Sequence, residues 1–227
     1  MGYADLNAPT IEERLAAVRD LGEERCKHGV RQTEEVNNHV HSIYSFSPYS
    51  PTMVAVKAAE AGLQTVGIMD HDSVSGCAEF LEAAKVVNIA STAGFEMRVN
   101  MDGTSVQGRK TNNPDEPNVS YIALHGIPAT QFHALEEFLK PMHAARVARD
   151  RMEVEKLNVV LAECGAPTLD FDADVMAISQ AEEGGSITER HILYALALKL
   201  IDKFGKGQPL VDFVEEAMEI PLAGKLR

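Results

Sequence analysis

The sequence predicts an α/β fold built on a parallel sheet. Three observations carry this: nearly continuous apolar runs of strand length such as Leu63 to Met69, stretches between them with helix start and stop signals, and the alternation of the two from Val36 to His125. At 227 residues, 45% of them apolar, the chain suits one domain with a small appendage and can bury a sizeable core.

The elements follow in order. Thr10 and Glu13 form a capping-box pattern, and Ile11, Leu15, Val18 and Leu21 recur at helical spacing, which predicts a surface helix to about Gly22. Val36 to Ile43 reads as a short strand ended by the turn-rich SFSPYSP. Ser50 is a cap, Pro51 suits the first helical position, and Met53 to Ala61 are helix formers stopped by Gly62. The buried strand Leu63 to Met69 then delivers Asp70-His71-Asp72 to its C-terminal end. A helix from about Val74 to Val87, a strand around Ile89 to Val99, a polar loop from Met101 to Val119 and a strand from Tyr121 to His125 extend the pattern. Phe132 to Ala162 is helical, broken only near Pro141; helices over Ile187 to Lys203 and Pro209 to Met218 follow the Gly184-Gly185-Ser186 loop. Residues 1–129 and 186–227 therefore read as the α/β domain and 130–185 as a helical insertion. Four strands are too few to close a barrel of about eight, so the chain is a piece of a longer protein or an incomplete version of such a fold.

Charge and cysteines narrow the function. Asp and Glu outnumber Lys and Arg by 34 to 21, a net charge of -13 that disfavours coating of nucleic acid and binding to anionic membranes. Cys26, Cys77 and Cys164 are far apart, which suggests neither a disulfide framework nor a thiolate zinc site and suits a reducing cytoplasm. The N-terminus lacks a basic-then-apolar leader, and Leu6 stands where a myristoylation signal after Gly2 needs Ser or Thr. Nothing approaches ~18 uninterrupted apolar residues.

Chemistry concentrates at strand ends. His39 and His41, two apart on a strand, project from one face and can converge on one cation, although alone they read equally as packing histidines. In Asp70-His71-Asp72 a carboxylate can orient a ligating imidazole, or Asp72 can cap the next helix. Glu96 is a ligand or an exposed edge residue, and His125 and His191 are each ambiguous. His28, His133 and His143 suit solvated helix faces.

Taken in order, NHVHSIYSFSPYSP, AGLQTVGIMDHDSVSG, GFEMRV and ITERHILYALALKL resemble the polymerase and histidinol phosphatase (PHP) family of metal-dependent phosphoesterases, from about Asn37 to Leu200. The resemblance implies a distorted (β/α) barrel of about seven strands with one to three divalent ions, zinc, manganese or iron, at its C-terminal mouth. It implies ligands at His39, His41, His71, Glu96 (bridging two ions) and His191, and likens 130–185 to the family's helical insertion. The implied activity is hydrolysis of a small phosphorylated substrate by metal-activated hydroxide. Asp70 and Asp72 are candidates for supporting contacts or proton acceptance, and Arg98, Arg109 and Arg190 for holding phosphate oxygens.

The departures define the rivals. Phe46 stands where an acid is expected and has no lone pair to ligate. Tyr121 replaces a histidine that His125 substitutes only from ~13 Å along the strand. A C-terminal Asp-x-His pair is absent before Arg227. These favour a binding or regulatory domain with a degraded metal site and no turnover. A fragment of a larger enzyme would instead expose an apolar strand edge and associate, as in a homo-oligomer. An amidohydrolase shares the HxH logic.

Overall fold

The helix-start signals act as read. In the computed structural model, which describes residues 3–114 and 116–224, Thr10 accepts from the Glu13 amide and Glu13 bonds back to Thr10 N, opening α1 (Ile11–Cys26). The expectations for Gly2 and Arg227 lie outside the described residues. α1 continues four residues beyond Gly22, whose φ of 67° kinks the helix without ending it. Ser50 accepts from Met53 N at 3.0 Å and starts α2 (Pro51–Glu60), while α3 spans Cys77–Val86.

The sheet has the order β1 (Val36–Val40), β2 (Thr65–His71), β3 (Ala90–Asn100), β4 (Val119–His125), and it is a curled half-barrel, not a closed ring. β1, β2 and β3 run parallel through the helical crossovers α2 and α3. β4 corrects the expectation of parallel strands throughout, because it pairs antiparallel with β3. Among the described residues of the 101–118 connection there are turns and no helix, so no helical crossover carries the chain back to start a further parallel strand. Asn112 from this loop bonds both the N–H and the carbonyl of Tyr121, occupying part of the outer edge of β4.

Val66, Ile68 and Met69 on β2 are completely buried, as a doubly covered strand requires. Within this core Arg14 and Glu79 form a bidentate pair, and Glu79 also accepts from Thr52 N and Oγ1. Phe132 and Leu139 of α4 (Phe132–Glu163) belong to the same cluster. A second cluster joins the far half of α4 to Leu169, Phe171, Val175, Ile187 and the inner face of α5 (Glu189–Phe204). The expected break at Pro141 is absent, since α4 runs straight through it. Contacts on both sides hold the helix there: Leu139 in the core, and His143 and Arg146 on Asp72. Cys26, Cys77 and Cys164 are free thiols. Among the described residues no helix is long and apolar enough to cross a membrane.

Candidate metal centre

The parallel register of β2 and β3 sets His71 beside Glu96 at the C-terminal end of the sheet. On the other side β1 carries a bulge between Asn37 and Val40, where bulges commonly re-aim a side chain. Gly67 makes room for it, because a Cβ there would meet the Asn38 carbonyl at 2.8 Å. His39 and His41 then reach the same carboxylate.

Three imidazoles therefore surround Glu96. His71 Nδ1 lies 2.6 Å and His41 Nε2 3.8 Å from Oε1, and His39 Nε2 lies 3.1 Å from Oε2. The rings of His41 and His71 stack with centroids 4.6 Å apart. Donor atoms of His39, His41 and Glu96 all lie within 4.8 Å of one another. Burial, then the neighbouring His71, pushes the His41 imidazole down to about 4, so at neutral pH its ring is uncharged and keeps a lone pair. Burial pushes the Glu96 carboxyl up, but the hydrogen bond and charge of His71, with His39 and His41 behind it, prevail and hold it below the usual range. Imidazole nitrogens around a carboxylate are a donor set that fits zinc, manganese or iron.

The acids flanking His71 do different work. Asp70 is sealed beneath the site, accepting from Ser42 N (2.6 Å), Ser42 Oγ (2.6 Å) and Ser45 Oγ (2.7 Å), and Ser45 Oγ lies 3.4 Å from His41 Nδ1. It holds the loop carrying the first motif and does not line the cavity over Glu96. Burial pushes its carboxyl up against those hydrogen bonds. Asp72 does line that cavity, with φ at 48°, an amide bonded to the Glu96 carbonyl and a carboxylate paired with Arg146 of α4.

The cavity measures about 400 Å³ and includes His41, His71 and Glu96. Arg98, Arg146 and Arg190 enter its wall, whereas Arg109 is exposed on the loop and does not. Tyr121 lies under the Arg98 guanidinium, 5.4 Å from ring centroid to Cζ. Ser73 and Ser75 bond the Gly184 carbonyl, and Ser186 N bonds the Tyr44 carbonyl; these contacts bring Glu189 and Arg190 to the rim.

Two predicted ligands are not brought to Glu96. His125 pairs with Gly94, two residues down β3, and is exposed, because the reversed direction of β4 puts Tyr121 and not His125 at the mouth. His191 is buried with Nδ1 accepting from Thr188 N at 3.0 Å, as a member of the cap of α5. Phe46 stands between it and the cavity, ring centroids 4.9 Å apart.

Other contacts escaped the sequence reading. His28 and His133 are exposed as expected, but His143 is half-buried with Nε2 at 2.5 Å from the Asp72 carbonyl. Leu139, His143, Arg146, Asp150 and Glu153 recur at helical spacing, and that stripe was the available signal. Asp150, Glu153 and Glu189 make a second carboxylate group, into which Arg149 reaches at 2.6 Å (Asp150), 3.3 Å (Glu153) and 2.9 Å (Glu189), so a guanidinium already supplies the positive charge.

Comparison with known proteins gives the family and the fold. The PHP domain family matches residues 37–171, more than half of the 227 residues, and the chain belongs to that family. The error-prone DNA polymerase of Mycobacterium tuberculosis is 28% identical over 172 residues, 75% of this chain but 13% of the polymerase. A 5'-3' exoribonuclease of Haemophilus influenzae is 32% identical over 74 residues, 33% of this chain and 27% of that protein. Among solved structures, a "putative metal-dependent phosphoesterase" of Bifidobacterium adolescentis superposes with a TM-score of 0.58 at 22% identity, covering 82% of this chain and 55% of its own. An amidohydrolase of Chromobacterium violaceum with bound sulfate gives 0.53 at 23%, covering 79% and 54%. At these identities the structural likeness is one of fold, and this chain spans about half of either solved chain.

Proposed function

We propose that the chain is a metal-dependent hydrolase acting on phosphate esters. The observation that carries this reading is the Glu96 carboxylate with His39, His41 and His71 around it, in a cavity that also admits three arginines. His39, His41 and Glu96 would hold a divalent cation with His71 beside them, and that cation supplies a Lewis acid and a lowered pKa for water at the site. Arg190 has no ion pair within 4 Å among the described residues and is the guanidinium left to bind phosphate oxygens. Arg146 is neutralised by Asp72, and Arg98 shares Glu189 at 3.7 Å. Asp72 lines the cavity but is committed to Arg146, while Asp70 orients His41 through Ser45. Three arginines against Asp72, Glu96 and Glu189 leave the cavity lining near balance, less acidic than the chain as a whole.

The test is metal analysis of purified protein together with hydrolysis of p-nitrophenyl phosphate in Mn²⁺ or Zn²⁺. The wild type should take up metal and hydrolyse the ester, and Glu96→Gln should lose both; unchanged metal content in Glu96→Gln rejects the assignment. A second reading, a PHP-type binding domain without turnover, draws on Phe46 in the cavity wall and on His191 engaged with Thr188. Metal uptake without hydrolysis of any phosphoester would favour it.

A further inference from the structure

Four non-glycine residues among those described have positive φ, and of these only Asp72 is buried; Asn88, Asn118 and Glu219 are exposed or half-buried. A left-handed backbone is unfavourable for a residue with a Cβ, and inside a fold it persists only where the surroundings over-determine it. All three polar groups of Asp72 are taken. Its amide bonds the Glu96 carbonyl at 2.7 Å, its carbonyl accepts from His143 Nε2 at 2.5 Å, and its carboxylate pairs with Arg146. A carbonyl only accepts, so Nε2 of His143 carries the ring proton.

Two of these three contacts come from α4. Leu139, His143 and Arg146 are four and three residues apart, which puts them on one face of the helix, and Leu139, 1% exposed, anchors that face in the core. The residue before Asp72 is His71, whose Nδ1 lies 2.6 Å from Glu96 Oε1. His71 and Asp72 share a peptide unit. Relaxation of Asp72 to a right-handed or extended backbone would turn that unit and carry the imidazole off the carboxylate. Seating α4 does not itself require this contact, because Phe132 and Leu139 already hold the helix in the apolar cluster.

We propose that His143 is a positioning residue for the metal centre: together with Arg146 it clamps Asp72 in the left-handed conformation and thereby fixes His71 against Glu96. The proposal rests on the metal-dependent reading of the site for what His71 is positioned to hold. It couples the docking of α4 to the affinity of a centre to which α4 supplies no ligand.

The test uses the full chain with and without metal. In the metal-free protein the ring-nitrogen NMR shifts of His71 report its contact with Glu96. They should move in His143→Ala and return in His143→Gln, whose side-chain amide donates to the Asp72 carbonyl in place of Nε2. With Co²⁺ as the probe, calorimetric titration should show about tenfold weaker binding to His143→Ala, with an altered visible spectrum, and wild-type affinity and spectrum in His143→Gln. In an Asp72→Gly background the positive φ carries no Cβ penalty, so there His143→Ala should weaken binding by less than about threefold. Arg146→Ala, should His143→Ala fail to fold, is the second variant and should move the same shifts.

His71 shifts and Co²⁺ affinity both at wild-type values in His143→Ala overturn the clamp and leave the hydrolase standing; moved shifts with unchanged affinity overturn it as well. A wild type that binds no Co²⁺ overturns the metal reading, and the His71 shifts alone then decide the clamp. A loss of affinity that His143→Gln does not restore, or that is as large in the Asp72→Gly background, overturns the carbonyl contact as its cause.

Discussion

Replacing His191 by phenylalanine separates a structural from a ligating histidine. The imidazole is 3% exposed, accepts the Thr188 amide at 3.0 Å, packs on Phe46, and is pushed down to about 4 by burial. In the unfolded chain it titrates near 6.5, so acid protonates the unfolded state first. The stability tied to its neutral form is complete above pH 6.5 and is lost as the pH falls toward 4, at ~1.4 kcal/mol per pH unit, or about 3 kcal/mol across the window. His191→Phe keeps a ring against Phe46, loses the cap at a cost of about 1 kcal/mol at pH 7, and abolishes this slope. Urea unfolding followed by circular dichroism at pH 7, 5.5 and 4.5 should therefore show an inversion: the variant less stable than wild type at pH 7 and more stable near pH 4.5. His41, also depressed to about 4, contributes a slope of the same sign that both proteins retain. Bound metal should be the same in the two. A variant whose stability follows the wild-type pH slope, or which loses an ion, refutes this account.

Two further substitutions probe the supports of the site. Asp70→Ala leaves the Ser42 amide and the Ser42 and Ser45 hydroxyls without their buried acceptor, at roughly 1–3 kcal/mol for each donor left unpaired. Thermal unfolding should fall steeply and metal affinity by about 10- to 100-fold, through His41; calorimetric titration showing wild-type affinity would remove Asp70 from the site. Glu79→Ala strands Arg14, whose partner side chain is 1% exposed, and should cost about 3–5 kcal/mol in urea unfolding. Metal content of the folded Glu79→Ala protein should match wild type, because that pair lies in the α1–α3 core and not beside Glu96.

What was legible in the sequence is what local periodicity and caps encode. Ser50-Pro51, the apolar run ending at His71 and the Thr10 capping box each fixed an element within a few residues. The direction of β4 was not legible, since alternation of side chains is the same for a strand running either way. Nor was the partner of the α4 stripe: His143 reads as solvated until Asp72 is set opposite it and Arg146. At His191 the same residues suit two roles, because a histidine three positions after Thr188 caps a helix as readily as it ligates, and only the position of Phe46 separates them.

The core of the site, in contrast, was implied by the family resemblance, and its geometry is a matter of register. His71 and Glu96 are directly paired across β2 and β3, so identifying two consecutive parallel strands that each end in a ligand is enough to place them together. His39 and His41 require one thing more, the bulge over Gly67, and a glycine inside an otherwise apolar strand is the trace it leaves in the sequence. The carboxylate that results is shared by three imidazoles, one of which is held neutral by burial and braced by Ser45 and Asp70. A solvated surface cluster would need none of that bracing. Its presence on the first-motif loop, beneath a cavity whose rim carries Arg190, is the physical reason to read these residues as prepared for a cation and not as an incidental polar end of a sheet.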